Sequence, residues 1–210
     1  MVKTMKIIDS GLKFKNALTK RKATSALILH HMAAQGSVQS IHNTHLNFGW
    51  AGIGYNFFIR LDGSIYKGRG WDYIGAHAGA SSGYNAKSVG ICFEGDYTNL
   101  SSMPRVQYVA GVWLVREALK RYGRIDVLRH RDVAATACPG NGFPFSQMKE
   151  EALRNEEVPD MSDKPSAWAK TAWEAAVKAG ITDGTRPQAP ATREEIITML
   201  YRAGIIRATE

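Results

Sequence analysis

Ser25-Ala26-Leu27-Ile28-Leu29-His30-His31 is a short apolar run that ends in two histidines, and it reads as a buried strand. Val38 to Leu46 follows as a short helix, with Val38 and Ile41, and with them His45 and Leu46, on one face. Gly49 and Gly52 punctuate the turn after it. Tyr55-Asn56-Phe57-Phe58-Ile59-Arg60, then Leu61-Asp62-Gly63-Ser64, then Ile65-Tyr66-Lys67 form a hairpin with Asp-Gly at the turn. A Gly/Ala/Ser-rich segment from Gly75 to Gly83 leads into a strand at Ser88 to Phe93. Arg105 to Tyr122 is the main helix, with Val109, Val112, Trp113, Val115 and Leu119 as core contacts and Gly123 as its stop. Ile125 to Arg129 is a further strand, and it delivers His130 at its end. Strands alternating with helices up to about residue 155 predict an α/β domain with a central sheet.

The chain has 210 residues, 44% of them apolar, enough for one large domain or a medium domain with a small one. No stretch approaches the roughly 20 apolar residues that span a bilayer, and the start, Met1 to Ser10, lacks the apolar core of a secretory signal. Synthesis in the cytoplasm without membrane insertion is therefore expected. With two cysteines, Cys92 and Cys138, a disulfide framework is excluded, and a thiolate remains available as a ligand. The net charge of +8 lies entirely before Val158, because acidic and basic residues cancel beyond it. A basic domain favours anionic polymers, whether nucleic acid, membrane surface or bacterial wall polymer, although charge alone equally serves solubility. No nucleic-acid-binding fingerprint accompanies it, so no nucleic acid partner is expected.

Asn155-Glu156-Glu157-Val158-Pro159-Asp160 breaks the pattern. It suggests a main domain over residues 1–155, a linker over 156–165 and a small helical module over 166–210. In that module Ala167 to Ala179 is amphipathic through Trp168, Ala172, Trp173, Ala176 and Val177. Thr192 caps a second helix, with Glu195 as its capping-box partner and Ile196, Ile197, Leu200 and Tyr201 as its apolar stripe. Two such helices make a marginal core, so docking or self-association is expected.

Seven residues separate His130 from Cys138, and His30 ends the apolar run far upstream. Two imidazoles and one thiolate would hold a tetrahedral zinc ion with one corner free, the mark of a catalytic rather than a structural site. Spacing alone leaves the alternative of scattered histidines and a buried free cysteine open.

Five segments in order carry a resemblance: Leu29-His30-His31, Gly52-Ile53-Gly54-Tyr55-Asn56-Phe57, Gly75-Ala76-His77-Ala78-Gly79, Ser88 to Gly95, and His130-Arg131-Asp132 running to Cys138-Pro139-Gly140. Together they resemble the type 2 N-acetylmuramoyl-L-alanine amidases, the zinc-dependent group that includes phage lysozyme-like amidases and peptidoglycan recognition proteins. The likeness covers roughly residues 20 to 150. It implies a mixed central sheet flanked by helices, a Zn2+ cofactor held by His30, His130 and Cys138, and hydrolysis of the amide between muramic acid and L-alanine.

The same resemblance implies that Tyr55 is catalytic, orienting water or stabilising the tetrahedral intermediate. Thr136 stands where some relatives have lysine, and its hydroxyl can stabilise an oxyanion without supplying charge. Cys92 stands where others place a glutamate; Glu94 is the fallback base, with a structural salt bridge as the favoured reading. His77 and Asn85 resemble groove residues that bind the muramyl group or stem peptide. His31, beside His30 in a strand, should face the other way, and His42 and His45 read as non-ligands.

Met161-Ser162-Asp163, Trp168-Ala169, Ala179 to Gly184 and Ala191 to Glu195 together resemble a single surface-layer-homology repeat. That implies binding of an anionic wall polymer, with Arg193 the first residue to test, and homo-oligomers where one repeat must complete its core. The combined expectation is an endolysin that acts on the bacterial wall after release. A non-catalytic peptidoglycan-binding protein, an autolysin and a muropeptide-recycling amidase are the alternatives.

Overall fold

The computed structural model describes residues 5–98, 102–154, 165, 169–182 and 193–206. The chain divides into two compact units, one spanning Met5–Glu156 and one containing Glu157–Glu210.

The first unit is built on a six-stranded sheet. Its strands are β1 (Ile7–Asp9), β2 (Ala26–His31), β3 (Phe57–Ile59), β4 (Ile65–Lys67), β5 (Ser88–Phe93) and β6 (Asp126–Arg129), in the order β1-β4-β3-β5-β2-β6. Only the β3–β4 hairpin is antiparallel; the other neighbours run parallel, so the sheet is mixed. The hairpin turns where Asp-Gly predicts: Asp62 accepts from the Ser64 amide, and the Gly63 amide donates to Arg60. Every residue of β2 and β5 is buried, as strands covered on both faces must be. Leu27, Ile28 and Leu29 have no exposed surface, and each such side chain contributes roughly 1.5–3 kcal/mol relative to exposure.

Helices cover both faces. α1 (Val38–Asn47) starts at Ser37, whose hydroxyl accepts from the Ser40 amide as an N-cap. Its Val38 and Ile41 pack with Ile53, Phe58 and Cys92 on one face of the sheet. α2 (Arg105–Tyr122) covers the other, where Gly111 lies against the Phe93 ring, and α3 (Phe145–Leu153) packs beside it. Val109, Val112 and Val115 are buried as the helical spacing predicts, whereas Trp113 and Leu119 sit half-buried at the flank. β1 and α3 are additions to the expected set of elements.

Register places the site. In β2, Leu29 pairs with Ile91 of β5 and Arg129 of β6, and His30 pairs with Cys92. His130, the first residue after β6, therefore emerges level with His30 at the carboxyl ends of adjacent parallel strands. That edge is where ligand sites form in open α/β sheets. Because neighbours in a strand alternate, His30 shares the α1 face with Cys92 while His31 shares the α2 face with Phe93.

The second unit contributes α4 (Lys170–Lys178) and α5 (Arg193–Arg202). Trp168, Thr192, the linker read at 156–165 apart from Pro165, and the side chain of Arg193 lie outside the described residues. Among the described residues no helix is long and apolar enough to cross a membrane.

Candidate active site

His30, His130 and Cys138 converge, with one ligand atom from each lying within 4.8 Å of the others. His30 is delivered by β2, fully buried, with Nδ1 3.8 Å from the Cys138 sulfur and its ring 4.5 Å from that of His130. His130 opens a short 3-10 turn, His130–Asp132, capped by Arg129 and Asp132, whose side chains bind each other. Cys138 rides the loop after that turn. Arg131 holds this loop: its amide donates to the Cys138 carbonyl at 3.0 Å, and its guanidinium reaches Asn141 at 2.8 Å and the Ala137 carbonyl.

Burial pushes the His30 imidazole well below its usual range, with His77 and His130 adding to the effect, and burial lowers His130 as well. The Cys138 thiol is pushed up to about 11 by burial, against the opposing influence of the His31 backbone and the Arg131 charge. The metal-free cluster is thus two neutral imidazoles and a neutral thiol, which is neutral nitrogen and soft sulfur gathered in one place. That donor set and spacing fit zinc, which takes tetrahedral nitrogen and sulfur ligands and displaces the thiol proton on binding.

Tyr55 lies against the cluster with its ring 5.1 Å from His30. It sits just ahead of β3, which begins at Phe57 rather than at Tyr55, and the next residue, Asn56, already donates its amide to the Gly90 carbonyl of β5. Burial pushes the Tyr55 phenol well above its ordinary value, and Cys92 and Cys138 push in the same direction. The phenol keeps its proton and is a hydrogen-bond donor. Thr136 is exposed on the Cys138 loop, where its oxygen accepts from the Cys138 amide at 3.2 Å.

His77 and Asn85 are tied into the frame of the site by hydrogen bonds. His77 is 7% exposed, its Nδ1 3.0 Å from Nε2 of His30. Asn85 spends its side-chain oxygen on the amides of His77 and Ala78, at 2.8 and 2.9 Å. Both were legible as polar residues near the site; their direction was not.

The remaining histidines serve the frame. His31 accepts from the Tyr97 amide on the far face. His42 and His45 accept from the amides of Ile53 and Gly54, pinning the turn that presents Tyr55. Glu94 is a buried structural anion: it accepts from the Arg60 side chain and from the amides of Gly36 and Leu61. The sequence reading missed Asn56, whose fully buried carboxamide accepts from Gly90 and donates to Gly70 and Tyr73. It also missed the Arg131 clamp.

The family model described as N-acetylmuramoyl-L-alanine amidase matches residues 20–141. The chain is 37% identical over 132 residues to peptidoglycan-recognition protein SC2 of Drosophila melanogaster, covering 57% of this chain and 70% of that protein. It is 33% identical over 130 residues to the endolysin of Enterobacteria phage K11, covering 58% and 83%. The solved structure of the N-acetylmuramoyl-L-alanine amidase LysC from Clostridium intestinale URNW superposes with a TM-score of 0.66 at 35% identity, covering 70% of this chain and 97% of that one. With the matched segment carrying every strand of the site from β2 onward, the chain belongs to the N-acetylmuramoyl-L-alanine amidase family.

Proposed function

We propose that the protein is a zinc-dependent amidase that hydrolyses the bond between the lactyl carbonyl of N-acetylmuramic acid and the amine of L-alanine in peptidoglycan, in the manner of a phage endolysin. The observation that carries this reading is the convergence of His30, His130 and Cys138 within 4.8 Å at the carboxyl edge of the sheet. These three residues would hold the ion; bound there, zinc supplies Lewis acidity that polarises the amide carbonyl and acidifies a water molecule.

The chain's own groups supply the rest. Tyr55 keeps its proton and donates a hydrogen bond toward the carbonyl oxygen as it gains charge, an interaction stronger in the transition state than in the ground state. Thr136, exposed beside Cys138, offers a second donor to the same oxygen. The rings of His45 and Tyr55, 5.7 Å apart, form one wall beside the cluster. A non-catalytic peptidoglycan-binding protein is the second reading, favoured by the recognition-protein relatives. An intact cysteine at position 138 favours the enzyme.

The second unit, read as residues 166–210, is assigned to wall targeting, with Arg193 contacting an anionic wall polymer and a second copy completing its core. The support is the sequence resemblance of its helices.

The deciding experiment incubates the protein with purified walls and counts new amino groups against new reducing sugar ends. Amino groups without reducing ends, lost together with bound zinc in a soluble, folded Cys138→Ser variant, are the expected result. Zinc bound with no release of amino groups establishes the binding protein instead.

A further inference from the structure

The hydrogen bonds beneath His30 run in one direction. The Ser88 hydroxyl lies 2.6 Å from the Tyr84 carbonyl, which can only accept, so the Ser88 hydrogen is committed there. Toward Nε2 of His77, 3.5 Å away, the Ser88 oxygen can then only accept. A neutral His77 with its proton on Nε2 presents a lone pair on Nδ1. That lone pair faces Nε2 of His30 at 3.0 Å, which must supply the hydrogen. His30 is left with its own lone pair on Nδ1, the atom that faces the Cys138 sulfur.

The fold makes room for this relay. A Cβ added at Gly90, in the middle of β5, would stand 2.4 Å from the His77 ring, and one at Gly75 would stand 2.3 Å from it. Two glycines therefore open the slot that the imidazole fills. The Asn85 carboxamide fixes its main chain from the other side through the His77 amide.

We infer that His77 is a positioning residue that, backed by Ser88, holds His30 in the tautomer whose Nδ1 lone pair is aimed at the candidate metal position. This rests on the metal reading proposed above, and it gives His77 a task other than touching substrate. A partner on the far ring nitrogen is what orients an imidazole ligand and raises its basicity, and losing one weakens metal affinity by roughly 10–100-fold.

The test has two arms on the full chain. Nitrogen-15 NMR of the metal-free wild type reads the tautomers directly: His30 and His77 should both carry hydrogen on Nε2. His30 with its hydrogen on Nδ1 overturns the inference with no variant needed. In the second arm, zinc affinity is measured by chelator competition, and the thiolate absorption of the cobalt form is recorded. His77→Leu should weaken zinc about 10–100-fold. His77→Asn, whose carboxamide oxygen falls near the place of Nδ1, should recover most of that loss, which a role in mere packing would not produce. Ser88→Ala keeps the test open if His77→Leu does not fold, and it should show a smaller loss in the same direction. Equal zinc affinity in the wild type, His77→Leu and Ser88→Ala sinks the inference while leaving the metal reading intact. A wild type that binds no zinc removes the metal reading and with it the role assigned to His77.

Discussion

Tyr55 concentrates the chemistry argument in one residue. Its aromatic body packs between His30 and His45, and its hydroxyl stays protonated because burial and two nearby thiols oppose the phenolate. Removing only the oxygen separates those tasks. Tyr55→Phe should keep the fold and the bound zinc, lower kcat about 100-fold and leave KM nearly unchanged, because the donor acts on charge that develops only in the transition state. A matching rise in KM would place the hydroxyl on the ground-state substrate instead. At this scale the resemblance singled out His30, His130, Cys138 and Tyr55, and the fold brings the first three within 4.8 Å of one another. The sequence could not reveal that His77 points at His30, because the direction of an imidazole is set by neighbours 11 and 47 residues away, Ser88 and His30.

Glu94 shows what elements ask of single groups. The carboxylate directly follows β5 and gathers the loop after β2 through Gly36 and the hairpin through Arg60 and Leu61. Burial alone would raise its pKa, but the Arg60 guanidinium and the two amides outweigh it and hold the carboxyl below its ordinary value. A group depressed in the folded state contributes stability above its unfolded pKa, and that contribution is lost as the pH falls through the folded value. Glu94→Gln puts an amide donor among donors and should destabilise by about 2 kcal/mol near pH 7. In thermal melts the gap to wild type should close as the pH falls below the ordinary glutamate range. A gap independent of pH would show that charge is not what Glu94 contributes. β5 and α2 were readable residue for residue, since long periodic runs with a glycine stop leave little choice. β1, only three residues at the sheet edge, and α3, which follows Pro144 without a side-chain cap and buries just Met148 and Ala152, carry too little pattern to stand out.

The whole chain adds the question of targeting. Residues from Val158 onward carry no net charge, so attraction of the basic unit to an anionic wall does not depend on them. Any contribution of the second unit must come from specific contacts. A chain truncated after Asn155 should hydrolyse soluble muropeptide at an undiminished rate and bind walls more weakly, measured by co-sedimentation at two salt concentrations. Equal wall binding by the truncated chain would remove the targeting role. What the sequence by itself determined is the α/β alternation and the mixed sheet's hairpin, because apolar periodicity and turn chemistry are local; the four candidate site residues came from the family resemblance of their segments. Only tertiary structure decided the order β1-β4-β3-β5-β2-β6, the level meeting of His30 with His130 at adjacent strand ends, and the relay from Tyr84 through Ser88 and His77. These depend on register between strands far apart in the chain, and register is settled by what buries best across the whole sheet, not by any one stretch of it.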